Sequence, residues 1–146
     1  MNAPRFLLLL LLCLVSCTRP AHPRQAEIEA LLQRYFSTWS AQDMAGYAAC
    51  FDATARVVVV KKDGSSSSQA LADFVDLQKR GHESAGQGRM VETPTFTRLS
   101  GDARVAVAEV GWRITRGQRS AAGVDYFTLA RQDGQWRIVA LVFYQD

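Results

Sequence analysis

The sequence predicts an α+β fold in which three N-terminal helices pack on one face of a curved, mainly antiparallel sheet. Two observations predict it. Between residues 25 and 80, apolar side chains recur at spacings of three and four, the period of amphipathic helices, and a single β-branched strand (residues 56–60) interrupts them. After residue 90, extended segments alternate with short glycine-containing turns, as in antiparallel hairpins. At 146 residues, the chain is long enough for one domain with a core.

The helices are predicted from their apolar stripes and their ends. A first helix starts near Gln25, and its stripe comprises Ile28, Leu31, Leu32, Tyr35, Phe36 and Trp39. Asp43 can cap a second, shorter helix. A third helix is expected over residues 69–80, with Gly81 ending it. The serine-rich segment 61–68 predicts a flexible loop.

The strands follow from alternation and turns. Pro94 interrupts the segment 90–99, which favours an edge strand or a bulge. Segments 104–115 and 121–131 are expected to form a hairpin, and Gly134 begins a last strand that is apolar on both faces. Strict alternation puts one set of side chains on one face and the rest on the other: Trp136, Ile138, Ala140, Val142 and Tyr144 against Val139, Leu141 and Phe143. The helices can cover only one of these faces, so the other predicts a second partner.

The N-terminus predicts export. Arg5 precedes ten apolar residues (6–15), too few to cross a bilayer, which takes about 20. Leu14-Val15-Ser16-Cys17 resembles a bacterial lipoprotein box, in which Cys17 would be lipidated. We therefore expect a signal peptide at 1–16, a lipidated Cys17 and tether at 17–24, and a domain at 25–146 in the bacterial cell envelope, anchored to the membrane. An ordinary signal peptide or a buried N-terminal helix is the alternative.

Charge, cysteine and histidine usage exclude several classes of function. The formal net charge of +3 falls to +2 without residues 1–16, which contain one arginine and no acid, and the basic residues are scattered. A nucleic-acid partner is therefore not expected. With Cys13 removed and Cys17 acylated, Cys50 has no disulfide partner. His22 and His82 are the only histidines, so we expect no metal site and no cofactor.

Three segments together resemble the nuclear transport factor 2-like superfamily, which includes the ketosteroid isomerases and the SnoaL-like cyclases. They are Tyr35-Phe-Ser-Thr-Trp39 followed by Ala41-Gln-Asp43, then Tyr47-Ala-Ala-Cys-Phe51, and Asp133-Gly-Gln-Trp-Arg-Ile138. The resemblance covers about residues 25–144 and implies a cone-shaped fold. It implies little about function, because this scaffold serves enzymes, ligand binders and interaction domains.

Carried over to this sequence, the isomerase resemblance is partial. The tyrosine that donates a hydrogen bond to the developing enolate falls on Tyr35. The position of the general base falls on Val59, and proton transfer needs a base within hydrogen-bond reach. The second acid, kept protonated to donate a hydrogen bond, falls on Asp125, or Tyr126 occupies the pocket side instead. Glu109 is the other acid in an apolar-rich strand.

Three hypotheses remain open. The leading one is a non-catalytic, lipid-anchored domain that binds a small apolar ligand or a protein, with a pocket lined by Tyr35, Trp39, Val59, Val139, Leu141 and Phe143 as the resemblance implies. The second is an enzyme that uses Asp125 or Glu109 as acid or base with Tyr35. The third is an interaction module whose pocket is filled by side chains. An acid inside the cone near Tyr35 would favour the enzyme hypothesis. If all acids pointed to solvent, the non-catalytic binding hypothesis would be favoured.

The outer face of the last strand predicts a homodimer. With Val139, Leu141 and Phe143 facing the cone, a patch remains outside that is unusual for a monomer. Its members on this strand are Trp136, Ile138, Val142 and Tyr144.

Overall fold

A computed structural model describes residues 22–86 and 88–145 of the chain. The predicted signal peptide, Cys17 and most of the tether lie outside these residues. Helices and strands follow in the order α1 (Gln25–Ala41), α2 (Met44–Ala48), β1 (Phe51–Val60), β2 (Ser66–Ala70), α3 (Leu71–Ser84), β3 (Val91–Gly101), β4 (Val105–Arg116), β5 (Arg119–Gln132) and β6 (Gln135–Gln145).

The six strands form one sheet in the order β2-β1-β6-β5-β4-β3. Neighbouring strands are antiparallel, except that β1 runs parallel to β6. Helix α1 packs on β3 and β6, and α3 packs on β1 and β2. The α+β prediction is confirmed. The helices do not form one N-terminal block, however, because α2 has five residues and two strands precede α3.

The core lies between α1 and the inner face of the sheet. Every member of the predicted α1 stripe is buried, from Ile28 to Trp39. Opposite them, the even-numbered residues 106–112 of β4 and the odd-numbered residues 123–129 of β5 are buried. Alternation therefore identifies the inner face of this hairpin.

The segment between β1 and α3 differs from its prediction. Residues 66–68, expected in a loop, pair with β1 as part of the edge strand β2. Helix α3 then starts at Leu71 and continues through Gly81 to Ser84. Gly81 does not end the helix because its φ is not positive, as a left-handed helix end would require. His82 consequently lies in the helix and is buried.

A β-bulge in β6 overturns half of the predicted outer face. Ala140 pairs with Thr128, but Ile138 pairs with Leu129, so Val139 is an extra residue between them. The extra residue reverses the alternation, and Trp136 and Ile138 join the core with 4% and 0% exposure. Their outward placement was wrong. Val142 does face outward, and across the outer face the Tyr144 ring meets Tyr126 at 6.5 Å.

Candidate functional site

A cavity of about 160 Å³ lies between the helices and the inner face of the sheet. Six of its eleven lining residues are aromatic: Tyr35, Trp39, Tyr47, Phe74, Trp112 and Phe143. The other five are Gln78, Glu92, Ile114, Asp125 and Gln145. Of the predicted pocket residues, Tyr35, Trp39 and Phe143 line this cavity, whereas Val59, Val139 and Leu141 do not. Leu141 is instead packed in the core, and Val139 is the bulge residue.

The buried end of the cavity contains a hydrogen-bonded chain of three side chains. The Tyr47 hydroxyl donates to the Tyr35 hydroxyl at 3.0 Å, and the Tyr35 hydroxyl donates to Asp125 Oδ2 at 3.4 Å. The rings of Tyr35 and Tyr47 lie 4.8 Å apart between centroids. Asp43 supports this arrangement, since its side chain accepts a hydrogen bond from the Gly46 amide at the start of α2.

The register of β5 turns Asp125 into the cavity. Asp125 pairs with Val110 on one side and Phe143 on the other, and it is 3% exposed. Its neighbour Tyr126 therefore faces outward, so the alternative that put Tyr126 on the pocket side is wrong. An acid thus lies inside the cone within reach of Tyr35, the arrangement that the enzyme hypothesis requires.

Glu109 is not part of the site. It pairs with the outward-facing Tyr126, and it forms an ion pair with Arg98 Nη1 at 2.9 Å on the outer face. The prediction of Glu109 as an acid or base in the pocket was wrong, because its position on β4 follows the strand's outward alternation.

Glu92, on β3, is a second acid in the cavity, and sequence reasoning missed it. It pairs with Ile114 and is 8% exposed. The register of β3 shifts between Pro94 and Phe96, so Thr95 is an extra residue that reverses the alternation. Pro94 signalled a bulge in the sequence, but alternation alone does not show which acid a bulge turns inward.

Burial sets the protonation of both acids. Loss of solvation raises the pKa of Asp125 from 3.8 to about 8, although the nearby Tyr35 hydroxyl and Trp112 indole favour its ionised form. Burial also raises the pKa of Glu92, and the charge of Asp125 raises it further. The Trp112 Nε1–H lies near Asp125 but meets no acceptor with hydrogen-bond geometry. At neutral pH Asp125 is therefore mainly protonated and can donate a hydrogen bond, and Glu92 holds its proton more strongly than a solvated carboxylic acid does.

The first strand brings no carboxylate into the cavity lining. Val59 pairs with Phe143 and Val57 with Leu141, which puts both valines on the inner side of β1. Asp52, the acid of this strand, lies at its far end beside Thr54, whose hydroxyl and amide donate to it. Val59, on which the resemblance puts the base of ketosteroid isomerases, therefore supplies no carboxylate here.

A wider groove of about 640 Å³ lies outside the cone, between α1 and β3. Leu32, Phe36, Val91 and Pro94 provide its apolar wall, and Glu92 lines both this groove and the cavity. Arg89 borders the groove, where its Nε donates to the Ser40 carbonyl. In residues 22–86 and 88–145, no three His, Cys, Asp or Glu side chains come together as a metal site.

The model of the family described as "Putative lumazine-binding" matches residues 23–144. The chain belongs to this family. No curated protein matches it. Across the part of this family member that the structure describes, no helix is long and apolar enough to span a membrane.

Solved structures share the fold of this family member. Rv3472 of Mycobacterium tuberculosis, described as of unknown function, is 25% identical with a TM-score of 0.66, over 83% of this chain and 70% of its own. Aln2 of a Streptomyces species is 16% identical with a TM-score of 0.72, over 87% of this chain and 94% of its own. A nuclear transport factor 2-like protein with a cystatin-like fold from Novosphingobium aromaticivorans is 16% identical with a TM-score of 0.66, over 82% and 80%. The nuclear transport factor 2-like resemblance is confirmed for the fold.

Proposed function

We propose that this protein binds a compact, largely apolar, ring-containing molecule in the cone cavity. The observation that carries the proposal is the cavity itself, with six aromatic walls and two buried acids at one end. Small-molecule sites typically combine an apolar lining with a few convergent polar groups. The family description names lumazine, a bicyclic heterocycle with carbonyl and N–H groups, and agrees with this chemistry.

The size of the cavity limits the ligand. An apolar cavity of about 150 Å³ accepts benzene, so about 160 Å³ encloses one ring. A second ring would extend into the more exposed mouth beside Gln78, Ile114 and Gln145. One water needs only about 10–15 Å³ on the same scale, which argues against the hypothesis of a pocket filled by side chains.

A filling substitution tests this site. Benzyl alcohol, with one ring and one hydroxyl, and lumazine serve as probes, and calorimetry measures their binding. We expect Ile114→Trp to abolish binding by occupying the mouth. Val107→Trp is the matched control, because Val107 lies on the same strand but is exposed on the outer face. If neither probe binds the wild-type protein, or if both variants bind like it, the proposal is wrong.

Binding without catalysis is supported by the valines of β1, because they leave no carboxylate at Val59, the position on which the resemblance puts the base of ketosteroid isomerases. The second candidate is proton transfer on a small carbonyl compound, favoured by Asp125 and Tyr35 lying together in the cavity. Tyr35 and protonated Asp125 would stabilise an enolate, and Glu92 would have to act as the base. Hydrogen–deuterium exchange at the α-carbon of a small cyclic ketone, abolished in Glu92→Gln, would support this candidate.

We further propose that the domain is tethered to a membrane of the bacterial cell envelope through Cys17 and forms a homodimer through its outer sheet face. The order of positive charge, apolar run and cysteine in residues 5–17 supports the anchor. The exposed apolar side chains of the outer face support the dimer: Phe96, Val105, Val107, Tyr126 and Val142.

A further inference from the structure

The cavity is lined by acidic side chains but by no basic one. Glu92 and Asp125 both line it, and no lysine, arginine or histidine does. Two basic residues that adjoin the lining have other roles. Arg89 donates its Nε–H to the Ser40 carbonyl. The His82 ring packs against Trp39 with 4.3 Å between centroids, and burial lowers the pKa of His82. Buried acids are normally paired with a cation or with several hydrogen bonds. Here the counter-charge is missing.

Two polar groups in the lining also lack partners. The hydrogen bonds of Glu92 within the described residues are made by its backbone to the Ser40 hydroxyl. None of them reaches the Glu92 carboxyl, although Glu92 is more than nine-tenths buried. The Trp112 Nε1–H is buried and has no acceptor either. Asp125, in contrast, receives the Tyr35 hydroxyl. An unpaired carboxyl facing a cavity can be satisfied by a ligand that fills it.

The aromatic walls favour one sign of charge. The face of an aromatic ring attracts a cation within about 6 Å of its centroid. The ring centroids of Tyr47 and Phe74 lie 6.2 Å apart, and those of Phe74 and Phe143 lie 5.9 Å apart, so several rings surround the same space. An anionic ligand would face the same rings without this attraction.

We propose that the ligand of this cavity carries a single positive charge, as in a small arylalkylamine, and that Glu92 and Asp125 together supply its counter-charge. This inference rests on the proposed function and specifies the ligand class. Burial raises the pKa of both acids, and the charge of Asp125 raises that of Glu92 further. A bound cation therefore favours the loss of one proton from the pair, while the second proton is retained. The pair then carries one negative charge, which matches a monocation.

Benzylammonium and benzyl alcohol test this inference, because they share a ring and a heavy-atom count and differ in charge. Calorimetry at pH 7.5 and constant ionic strength gives both affinities for the wild-type protein. We expect benzylammonium to bind at least tenfold more tightly. We also expect its binding to release close to one proton, seen as a dependence of the heat on buffer ionisation, while benzyl alcohol releases none.

Amide variants identify the acids. Glu92→Gln and Asp125→Asn should each reduce the preference for benzylammonium to threefold or less while benzyl alcohol still binds, which also shows that the variants fold. Glu109→Gln removes an acid of the outer face and should leave the preference unchanged.

The outcomes separate the two proposals. Equal binding of both probes, or cation binding without proton release, would overturn the charge inference and leave the proposed function standing. A preference that survives in both amide variants would also overturn it. Failure of both probes to bind the wild-type protein would count against the proposed function itself.

Discussion

Asp125 links the chemistry of the cavity to the stability of the fold. In the unfolded chain its pKa is close to 3.8, whereas in the folded protein burial raises the pKa to about 8. Between these values the folded state retains a proton that the unfolded state has lost. The free energy of unfolding therefore decreases as the pH rises from about 4 to 8, and this loss is absent below pH 4.

We expect Asp125→Asn to flatten this pH dependence. One group contributes at most about 1.4 kcal/mol per pH unit to the slope. The variant should resemble the wild type near pH 4 and be the more stable protein at pH 9, as measured by urea unfolding. Some slope should remain, because the pKa of Glu92 is raised as well. Parallel profiles for wild type and variant would show that Asp125 ionises freely in the folded state.

A second expectation concerns the Tyr35 hydroxyl, which accepts from Tyr47 and donates to Asp125. Tyr35→Phe leaves both buried partners unsatisfied, and we expect a loss of about 1–3 kcal/mol in the free energy of unfolding. Tyr126→Phe is the control, since Tyr126 is 38% exposed on the outer face. Equal stability of the two variants would contradict the buried hydrogen-bonded chain.

At the scale of elements, the bulge in β6 decides which side chains are core. Ile138 is fully buried and Val142 is 36% exposed, although the two lie four positions apart and strict alternation would put them on the same face. We expect Ile138→Ala to lower the free energy of unfolding by about 2–5 kcal/mol. In the monomer, Val142→Ala should lower it by less than about 1 kcal/mol. Denaturant unfolding at low protein concentration measures both. Similar costs would mean that the strand has no bulge at Val139.

Helices were more predictable from the sequence than strand faces. The α1 stripe repeats over 17 residues, so a local irregularity does not change its average direction. A strand has a period of two, and one extra residue reverses every later position. The extra residue Thr95 is the reason that alternation did not predict the inward direction of Glu92. The extra residue Val139 is the reason that Trp136 and Ile138 were predicted on the wrong face. Tyr35 was identified as a site candidate through the family resemblance, and the α1 stripe predicted its inward direction. The inward direction of Asp125, in contrast, required the register of three strands.

The serine-rich edge strand was missed for a different reason. Serines 66–68 are not among the β-branched and aromatic residues that are enriched in strands, and the four consecutive serines have the composition of a flexible connection. Tertiary pairing overrides this preference, because β1 offers an open edge and Val58 pairs with Ser68.

At the scale of the whole molecule, the outer face of the sheet carries the proposed dimer contact. Burying about 800 Å² per partner would cover its exposed valines and aromatic rings. We expect the protein lacking residues 1–17 to sediment as a dimer at tens of micromolar, and Val142→Glu to give a less stable monomer.

Leu77→Glu is the control for this substitution, because Leu77 is exposed on α3, away from the sheet. It should remain a dimer. A wild-type monomer at these concentrations would refute the dimer proposal.

Anchoring is tested by Cys17→Ser in the full chain. Lipidation with more than one acyl chain gives stable membrane association, whereas a single chain gives only marginal binding. The variant should move from the membrane to the soluble envelope fraction and keep its thermal stability. Unchanged membrane association would end the lipoprotein proposal.

The position of β6 in the sheet has a consequence for folding kinetics. Without β6, strands β2 and β1 would form one half-sheet and β5, β4 and β3 another, because β6 alone joins them. Its pairing of Leu141 with Val57 closes a loop that contains most of the domain. Such distant contacts slow folding, since the entropy of loop closure is lost before the contacts form. A nascent chain that has not yet reached Gln135 therefore exposes two unpaired strand edges, and in that interval it is most prone to aggregate.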